Sequence, residues 1–314
     1  YGRIQLQICH SAHTMLLTAG AMGLSTVGAS ASAPLLLQAQ LQALNDHRYV
    51  AIKNWISNEQ ADELMCDALA VRRFGGTFDC HIGNRGGGLA SLHDPSVRNS
   101  RMCTLYPPPS NSAGSVEVRA RLTSLVDGLR RELQASSVLA LPYLEPFETE
   151  LHYLLYPVGG HYRRHLDTGY QARGWKQYGR QASDGGSLRG GRTRRVISFL
   201  IYLNRGWDQR NGGELRVFPP LARDDPARMG PDQHPTGRRE LEGFTEDIVP
   251  EGGTLVLLAS ADVEHLVRET FAERQCVVGW FREYREEHVP DLDASSLHTR
   301  PREGTTDGSF EGLV

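Results

Sequence analysis

Two side chains at short spacing carry the first chemical signal. In Tyr156-Pro-Val-Gly-Gly-His-Tyr-Arg-Arg-His165-Leu-Asp167, an imidazole and a carboxylate stand two positions apart. Residues i and i+2 of a strand project from one face, so this spacing predicts that His165 and Asp167 reach one metal ion together. A second imidazole would complete the two-His, one-carboxylate face that leaves positions open on Fe(II). His-x-Asp is too short a pattern to be specific alone. The candidate partner is His265, in Asp262-Val-Glu-His265-Leu-Val-Arg268, between the apolar run Thr254–Leu258 and the run that carries Trp280. Arg274 follows nine residues later. A buried guanidinium that opens a strand needs an anion, and its fork fits a carboxylate with two parallel hydrogen bonds. An open metal face beside a carboxylate clamp suits a chelating keto acid.

The elements that must position these groups are also readable. Leu37, Leu41 and Leu44 are spaced for one helix face, and Tyr49–Lys53 reads as a short strand. Ser57 and Gln60 form a capping-box pattern ahead of Ala61, Leu64, Met65, Ala68 and Leu69. Val118, Leu122, Leu125, Val126, Leu129 and Leu133 make a second helical stripe. From about Glu150 the texture changes to runs rich in β-branched and aromatic residues: Leu151–Tyr156, Val196–Leu203, Glu214–Phe218, Thr254–Leu258 and Cys276–Phe281. Helices first and strands afterwards predict an α+β chain, with helices packed on an antiparallel sandwich or barrel. Two connections, Gln171–Arg195 and Pro219–Glu246, are long enough to be functional or disordered. The first is rich in Arg and Gly; it reads either as a solvated flexible segment or as a lid over a peptide. The tail from Glu283 reads as loosely ordered.

Composition removes several function classes. The 314 residues are 39% hydrophobic and 23% charged, a globular mixture with a sizeable core. A net charge of −3 argues against a protein held to nucleic acid through its phosphates. Five scattered cysteines (Cys9, Cys66, Cys80, Cys103, Cys276) form no CxxC and suggest neither a disulfide framework nor a zinc finger. No apolar run is long enough for a multi-span membrane protein. Ile4–Asn45 contains no Asp, Glu, Lys or Arg, and it holds an apolar run followed by Ala29–Ala33. It resembles a signal or transit peptide, which would imply a secretory or organellar route; otherwise the chain reads as cytoplasmic. The expected organisation is a leader over 1–34, one domain over 35–285 with its β core at about 149–285, and a tail over 286–314.

Taken together, these motifs resemble the prolyl 4-hydroxylase group of Fe(II)/2-oxoglutarate-dependent dioxygenases. Its pattern of Tyr, a Gly turn, Tyr and His-x-Asp is met by Tyr156, Gly159, Gly160, Tyr162, His165 and Asp167. Its next strands are met by Arg195–Asn204, Trp207 and Gly212–Phe218, and its distal pattern by His265, Arg274 and Trp280. The resemblance runs from about Leu35 to Glu283 and implies a double-stranded β-helix, or jelly roll. It implies that His165, Asp167 and His265 bind iron and that Arg274 pairs with the distal carboxylate of 2-oxoglutarate. Tyr156 would donate to that cosubstrate, Tyr202 would line its pocket, and Trp280 would stand on the substrate side. Plain core packing is the alternative for the three aromatics.

The implied reaction consumes O2 and 2-oxoglutarate, releases succinate and CO2, and hydroxylates an unactivated C–H bond, with a proline-containing protein or peptide as the expected substrate. Ascorbate dependence belongs to the same expectation. Arg rather than Lys at position 274 and the Tyr-Leu-Asn, Trp and Gly-Gly-Glu-Leu texture lean toward the hypoxia-type and bacterial-like members. Three other readings stay open: a jelly-roll binding module without catalysis, a zinc or manganese cupin, and a nucleic-acid dealkylating relative. The last has the Arg268/Arg274 pair in its favour and too short a distance from His265 to Arg274 against it. No nucleic-acid partner and no membrane span in the catalytic domain are expected.

Overall fold

The computed structural model describes residues 34–74, 76–80, 93–105, 113–168, 175–180, 189–220 and 243–286. The expected leader, apart from Pro34, lies outside these residues. So do the tail from 287 onward and most of both long connections.

Long apolar runs that do not alternate mark strands buried on both faces, and they form the centre of the larger sheet. Four such strands are β5 (Glu150–Tyr156), β8 (Arg189–Tyr202), β11 (Leu255–Ala259) and β13 (Arg274–Glu286). The sheet runs β1 (Tyr49–Ile52), β11, β8, β13, β5, β4 (Arg101–Thr104), β2 (Phe78–Asp79), with β7 (Lys176–Arg180) also paired to β8. A second sheet runs β10 (Glu246–Ile248), β9 (Leu215–Val217), β12 (His265–Val267), β6 (His161–His165), β3 (Arg98–Asn99). Every pairing in both sheets is antiparallel. Two such sheets face to face form the expected jelly roll.

The large sheet separates two cores. Ile197, Phe199, Ile201, Val277 and Phe281 point to the helices, where they meet Leu44, Leu64, Leu129 and Leu133. Leu200, Tyr202, Cys276, Val278 and Trp280 point the other way, toward Leu215, Val217 and Val267 of the second sheet. Burying a Phe, Ile, Leu or Val of these sets contributes about 1.5–3 kcal/mol.

The helices are α1 (Gln38–His47), α2 (Asn58–Arg73) and α3 (Val116–Ala135). The capping box ahead of α2 is formed as read: Ser57 Oγ accepts from the Gln60 amide at 3.2 Å, and Gln60 Oε1 accepts from the Ser57 amide at 2.9 Å. Ser115 Oγ caps α3 by accepting from the Val118 amide. Asp67, buried on α2, pins the layer to the sheet. It accepts from Tyr153 of β5 (2.7 Å), from Arg119 of α3 (3.0 Å) and from the Ser115 amide.

Three expectations are corrected. The connection Gln171–Arg195 is not without structure of its own: β7 occupies part of it, and β8 already begins at Arg189. Residues 171–174 and 181–188 of the connection, expected as a flexible segment or lid, lie outside the described residues. The chain does not loosen at Glu283; β13 continues to Glu286, and Glu283 is buried against Arg194. The physical cause is the same in both places, because β8 and β13 pair with each other far past the apolar core. The third correction, at Asp167, belongs to the site.

Replacing Asp67 by Ala takes the carboxylate from a half-buried guanidinium and a buried phenol. It is expected to cost about 3–5 kcal/mol in urea unfolding, with Asp67→Asn costing less; a loss below 1 kcal/mol would show the clip to be dispensable.

Candidate metal centre

His165 is the last residue of β6 and His265 the first of β12, and the ladder sets them directly opposite each other. Their ring centroids are 4.3 Å apart. The strand does not continue to Asp167 as the spacing predicted: β6 stops at His165, and Asp167 lies in the bend that follows. The turn still delivers the carboxylate. One Asp167 oxygen is 3.4 Å from His165 Nε2 and the other 3.6 Å from His265 Nε2. Among the described residues, these three form the group whose donor atoms all lie within 4.8 Å of one another.

The backbone selects the tautomer of both rings. His165 Nδ1 is 2.7 Å from the Arg163 carbonyl and His265 Nδ1 is 3.2 Å from the Val263 carbonyl. A carbonyl only accepts, so each Nδ1 carries a proton and Nε2 is the ring nitrogen turned toward Asp167. Burial, reinforced by the neighbouring His265, pushes His165 down to about 4. Burial also works against the charge on Asp167. The facing His265, His165 and Arg195 outweigh it and hold the carboxyl well below the usual range. A neutral imidazole and an ionised carboxylate are the protonation states that metal binding requires.

The bend that carries Asp167 is tethered. The Thr168 amide donates to the Ser260 carbonyl (3.2 Å), and Arg195 Nη1 donates to the Asp167 carbonyl (3.3 Å). Arg195 is itself aimed by a forked ion pair with Glu150, which Arg282 shares. Those two guanidiniums hold Glu150 down to about 2 in spite of its burial. The Arg195 guanidinium lies 3.7 Å over the Trp280 ring, and His152 meets the same ring edge-on at 5.8 Å. Trp280 Nε1 is buried without a hydrogen-bond partner among the described residues. Sequence reasoning missed Glu150 and His152, and it read Arg195 only as the start of a strand. A buried carboxylate opening the apolar run Leu151–Tyr156 was the available signal.

A second polar element lies in the core between the sheets. Arg274 opens β13 opposite Tyr156, is fully buried, and has its guanidinium 4.9 Å from the Tyr156 ring and 5.0 Å from the Tyr202 ring. Its one hydrogen-bond contact is a long 3.9 Å approach of Nη1 to the Cys276 sulfur. Among the described residues, Arg274 Nε and Nη2 and the Tyr202 hydroxyl have no hydrogen-bond partner. Burial pushes the Tyr202 phenol up to about 12. A guanidinium taken out of water with no counter-charge is costly, and its orphaned donors are what an incoming carboxylate would satisfy. Space is reserved beside it: Gly213 has φ +70°, and a Cβ there would come 3.1 Å from Arg274 Cδ. Tyr162 belongs to the same core and stacks on His165 at 3.5 Å, so the two elements are continuous. A separate open groove of about 600 Å³, between His161, Arg163, Arg268 and Phe271, contains neither the triad nor Arg274.

With this geometry described, known proteins can be compared. Residues 151–282 match the family model described as the 2OG-Fe(II) oxygenase superfamily. No curated protein sequence matches the chain. A prolyl-4-hydroxylase from Pseudomonas putida superposes with a TM-score of 0.52 at 23% identity, covering 78% of this chain and 97% of its own. The prolyl hydroxylase of Trichoplax adhaerens, solved with a hypoxia-inducible-factor peptide, gives 0.55 at 18% identity over 77% of this chain and 86% of its own. The α-ketoglutarate-dependent carbocyclase SnoK of nogalamycin biosynthesis gives 0.50 at 13% identity over 87% and 94%. At these identities the likeness is one of fold. No helix among the described residues is long and apolar enough to cross a membrane.

The metal-free protein should weaken in acid in a defined window. Burial pushes His152, like His165, down to about 4 from an ordinary value of 6.5. The unfolded chain therefore takes up protons first, and stability present above pH 6.5 is lost as the pH falls toward 4. Each ring contributes up to about 3 kcal/mol to that loss. Urea unfolding at several pH values should show a shallower slope in His152→Gln; an unchanged slope would remove His152 from the account.

Proposed function

We propose that this chain is an Fe(II)- and 2-oxoglutarate-dependent dioxygenase that hydroxylates a prolyl residue of a protein or peptide, releasing succinate and CO2. The observation that carries the reading is the pairing of a buried two-His, one-carboxylate face with a buried guanidinium that lacks a counter-ion among the described residues. His165, Asp167 and His265 are the proposed iron ligands, a donor set that suits Fe(II) and leaves positions open. Bound Fe(II) and 2-oxoglutarate supply the O2-dependent oxidising chemistry, and ascorbate dependence goes with them as a family expectation.

The chain's own residues bind, orient and keep water out. The carbonyls of Arg163 and Val263 hold both Nε2 atoms inward. Arg195, aimed by Glu150, steadies the backbone of Asp167. Arg274 is proposed to take the distal carboxylate of 2-oxoglutarate, with the Tyr202 hydroxyl beside it and Tyr156 donating to the cosubstrate. Trp280, next to Arg195 and His152, is proposed to border the substrate.

A second reading has a specific basis, since the fold is shared with a carbocyclase that acts on a different kind of molecule. In that reading the chemistry is the same and the target is not prolyl. The intact donor set and Arg274 weigh against a silent binding module, and dependence on a keto acid separates the proposal from a zinc or manganese cupin.

The test is succinate formation by anaerobically purified protein given Fe(II), 2-oxoglutarate and ascorbate, with and without a pool of proline-rich peptides. Stimulation by the peptides is expected. Iron-dependent turnover that no peptide stimulates would favour the second reading, and no succinate from iron-loaded protein would overturn both.

Two variants sharpen this. Asp167→Ala removes the anionic ligand and should lower turnover at least about 100-fold. Arg274→Ala should raise the 2-oxoglutarate KM at least about thirtyfold, because it leaves a buried carboxylate unpaired. Arg274→Lys should recover part of that loss, and an unchanged KM in Arg274→Ala would place the cosubstrate elsewhere.

A further inference from the structure

The strands that frame the metal centre do not stop where the sandwich stops. On β13, the partner β5 ends opposite Trp280, and on β8 the partner β11 ends opposite Ile197. A bulge at Val196 shifts the register there, after which β8 and β13 pair for five further residues, from Arg195 with Arg282 to Gly191 with Glu286. Strand β7 adds to the free side of β8 along this stretch. The result is a three-stranded wing about 17 Å long, rooted where Arg195 touches Asp167 and Trp280.

The wing is strongly cationic in a protein whose net charge is −3. Arg192, Arg194, Arg195, Arg282 and Arg285 lie on its β8 and β13 strands, and the sequence adds Lys176, Arg180 and Arg189 along β7 and the far end of β8. Glu286 also lies on the wing, and the two carboxylates whose ion pairs are described are each shared. Glu150 serves both Arg195 and Arg282, and Glu283 serves both Arg194 and Arg285. The charge is also held in place. The guanidiniums of Arg194 and Arg285 both lie over the Trp175 ring, 4.9 and 4.7 Å from its centre. Arg192 and Arg285 are exposed.

We infer that this wing docks an acidic stretch of the peptide substrate and leads the reacting residue to the mouth beside Trp280. The inference names the substrate class of the proposed dioxygenase, and as a statement about a substrate it rests on that reading. Besides charge complementarity, one edge of the wing supports a peptide. Among the described residues the outer side of β7 has no strand partner, so an extended peptide can complete the ladder there, whereas on β13 beyond Trp280 the Glu145 amide already donates to the Arg282 carbonyl (2.8 Å). Nucleic acid fits less well. Of the described side chains, Trp175 already carries two guanidiniums and the Tyr284 ring lies against Gly191, which reduces the aromatic surface open to base stacking.

The test measures binding, and it does not depend on turnover. Fluorescein-labelled peptides of about 15 Gly and Ala residues with one Pro, differing only in five Glu or five Gln, are titrated with the full chain, beside a labelled oligo-dT of similar length. The Glu peptide should bind at least about tenfold tighter than the Gln peptide at about 50 mM NaCl, and the gap should shrink at about 300 mM. Arg192→Glu with Arg285→Glu should abolish the preference. Arg192→Gln with Arg285→Gln should reduce it, and this milder pair decides the matter if the reversed one fails to fold by circular dichroism. Equal affinity for the two peptides, or oligo-dT binding tighter than the Glu peptide, would overturn the inference. The Glu preference in a protein that makes no succinate would support the wing and overturn the dioxygenase reading. Succinate formation without the preference would do the reverse.

Discussion

A charge kept out of water without a partner is the constraint around which the interior is arranged. Arg274 is fully buried, yet two of its guanidinium nitrogens have nothing among the described residues to donate to. The free energy to hold it there has to come from elsewhere, chiefly from the apolar burial on both faces of β5, β8 and β13. The helical layer matters to the site for this reason. Without α2 and α3 on its outer face, the large sheet would be solvated on one side and could not hold so polar an interior.

The parts readable in the sequence are those in which a local signal coincides with the final environment. The Ser57/Gln60 box is a matter of hydrogen bonds within one turn, and it forms as read. The runs Val196–Leu203 and Cys276–Phe281 lie in strands buried on both faces, so an unbroken apolar run was the right signal. What escaped was set by partners distant in sequence. β6 reads His-Tyr-Arg-Arg-His and has no apolar run; a strand was assumed there from the His-x-Asp spacing alone, and where it ends is set by its neighbours β12 and β3. The wing was taken for a loop because Arg and Gly are poor strand formers, and pairing with β13 overrides that preference.

The site shows the same division. The spacing of His165 and Asp167 led to one shared centre, although the assumed strand ends at His165 and a bend takes over. His265 could be nominated from its position after an apolar run, but its place opposite His165 is a property of the ladder. Glu150 and Arg195 are 45 residues apart and invisible as a pair until β5 and β8 are placed on either side of β13.

The bulge at Val196 has a consequence for how such a chain can change over evolutionary time. On the core side of it, parity decides everything. Arg274, Cys276 and Trp280 face the interior only because each is an even step from the next, and inserting or deleting one residue among them would turn the charge into the helical layer. Beyond the bulge that bookkeeping no longer constrains the strands. Length and charge there can be altered without disturbing the parity of the interior, so a lineage could exchange one target for another by rewriting the wing while inheriting the centre intact.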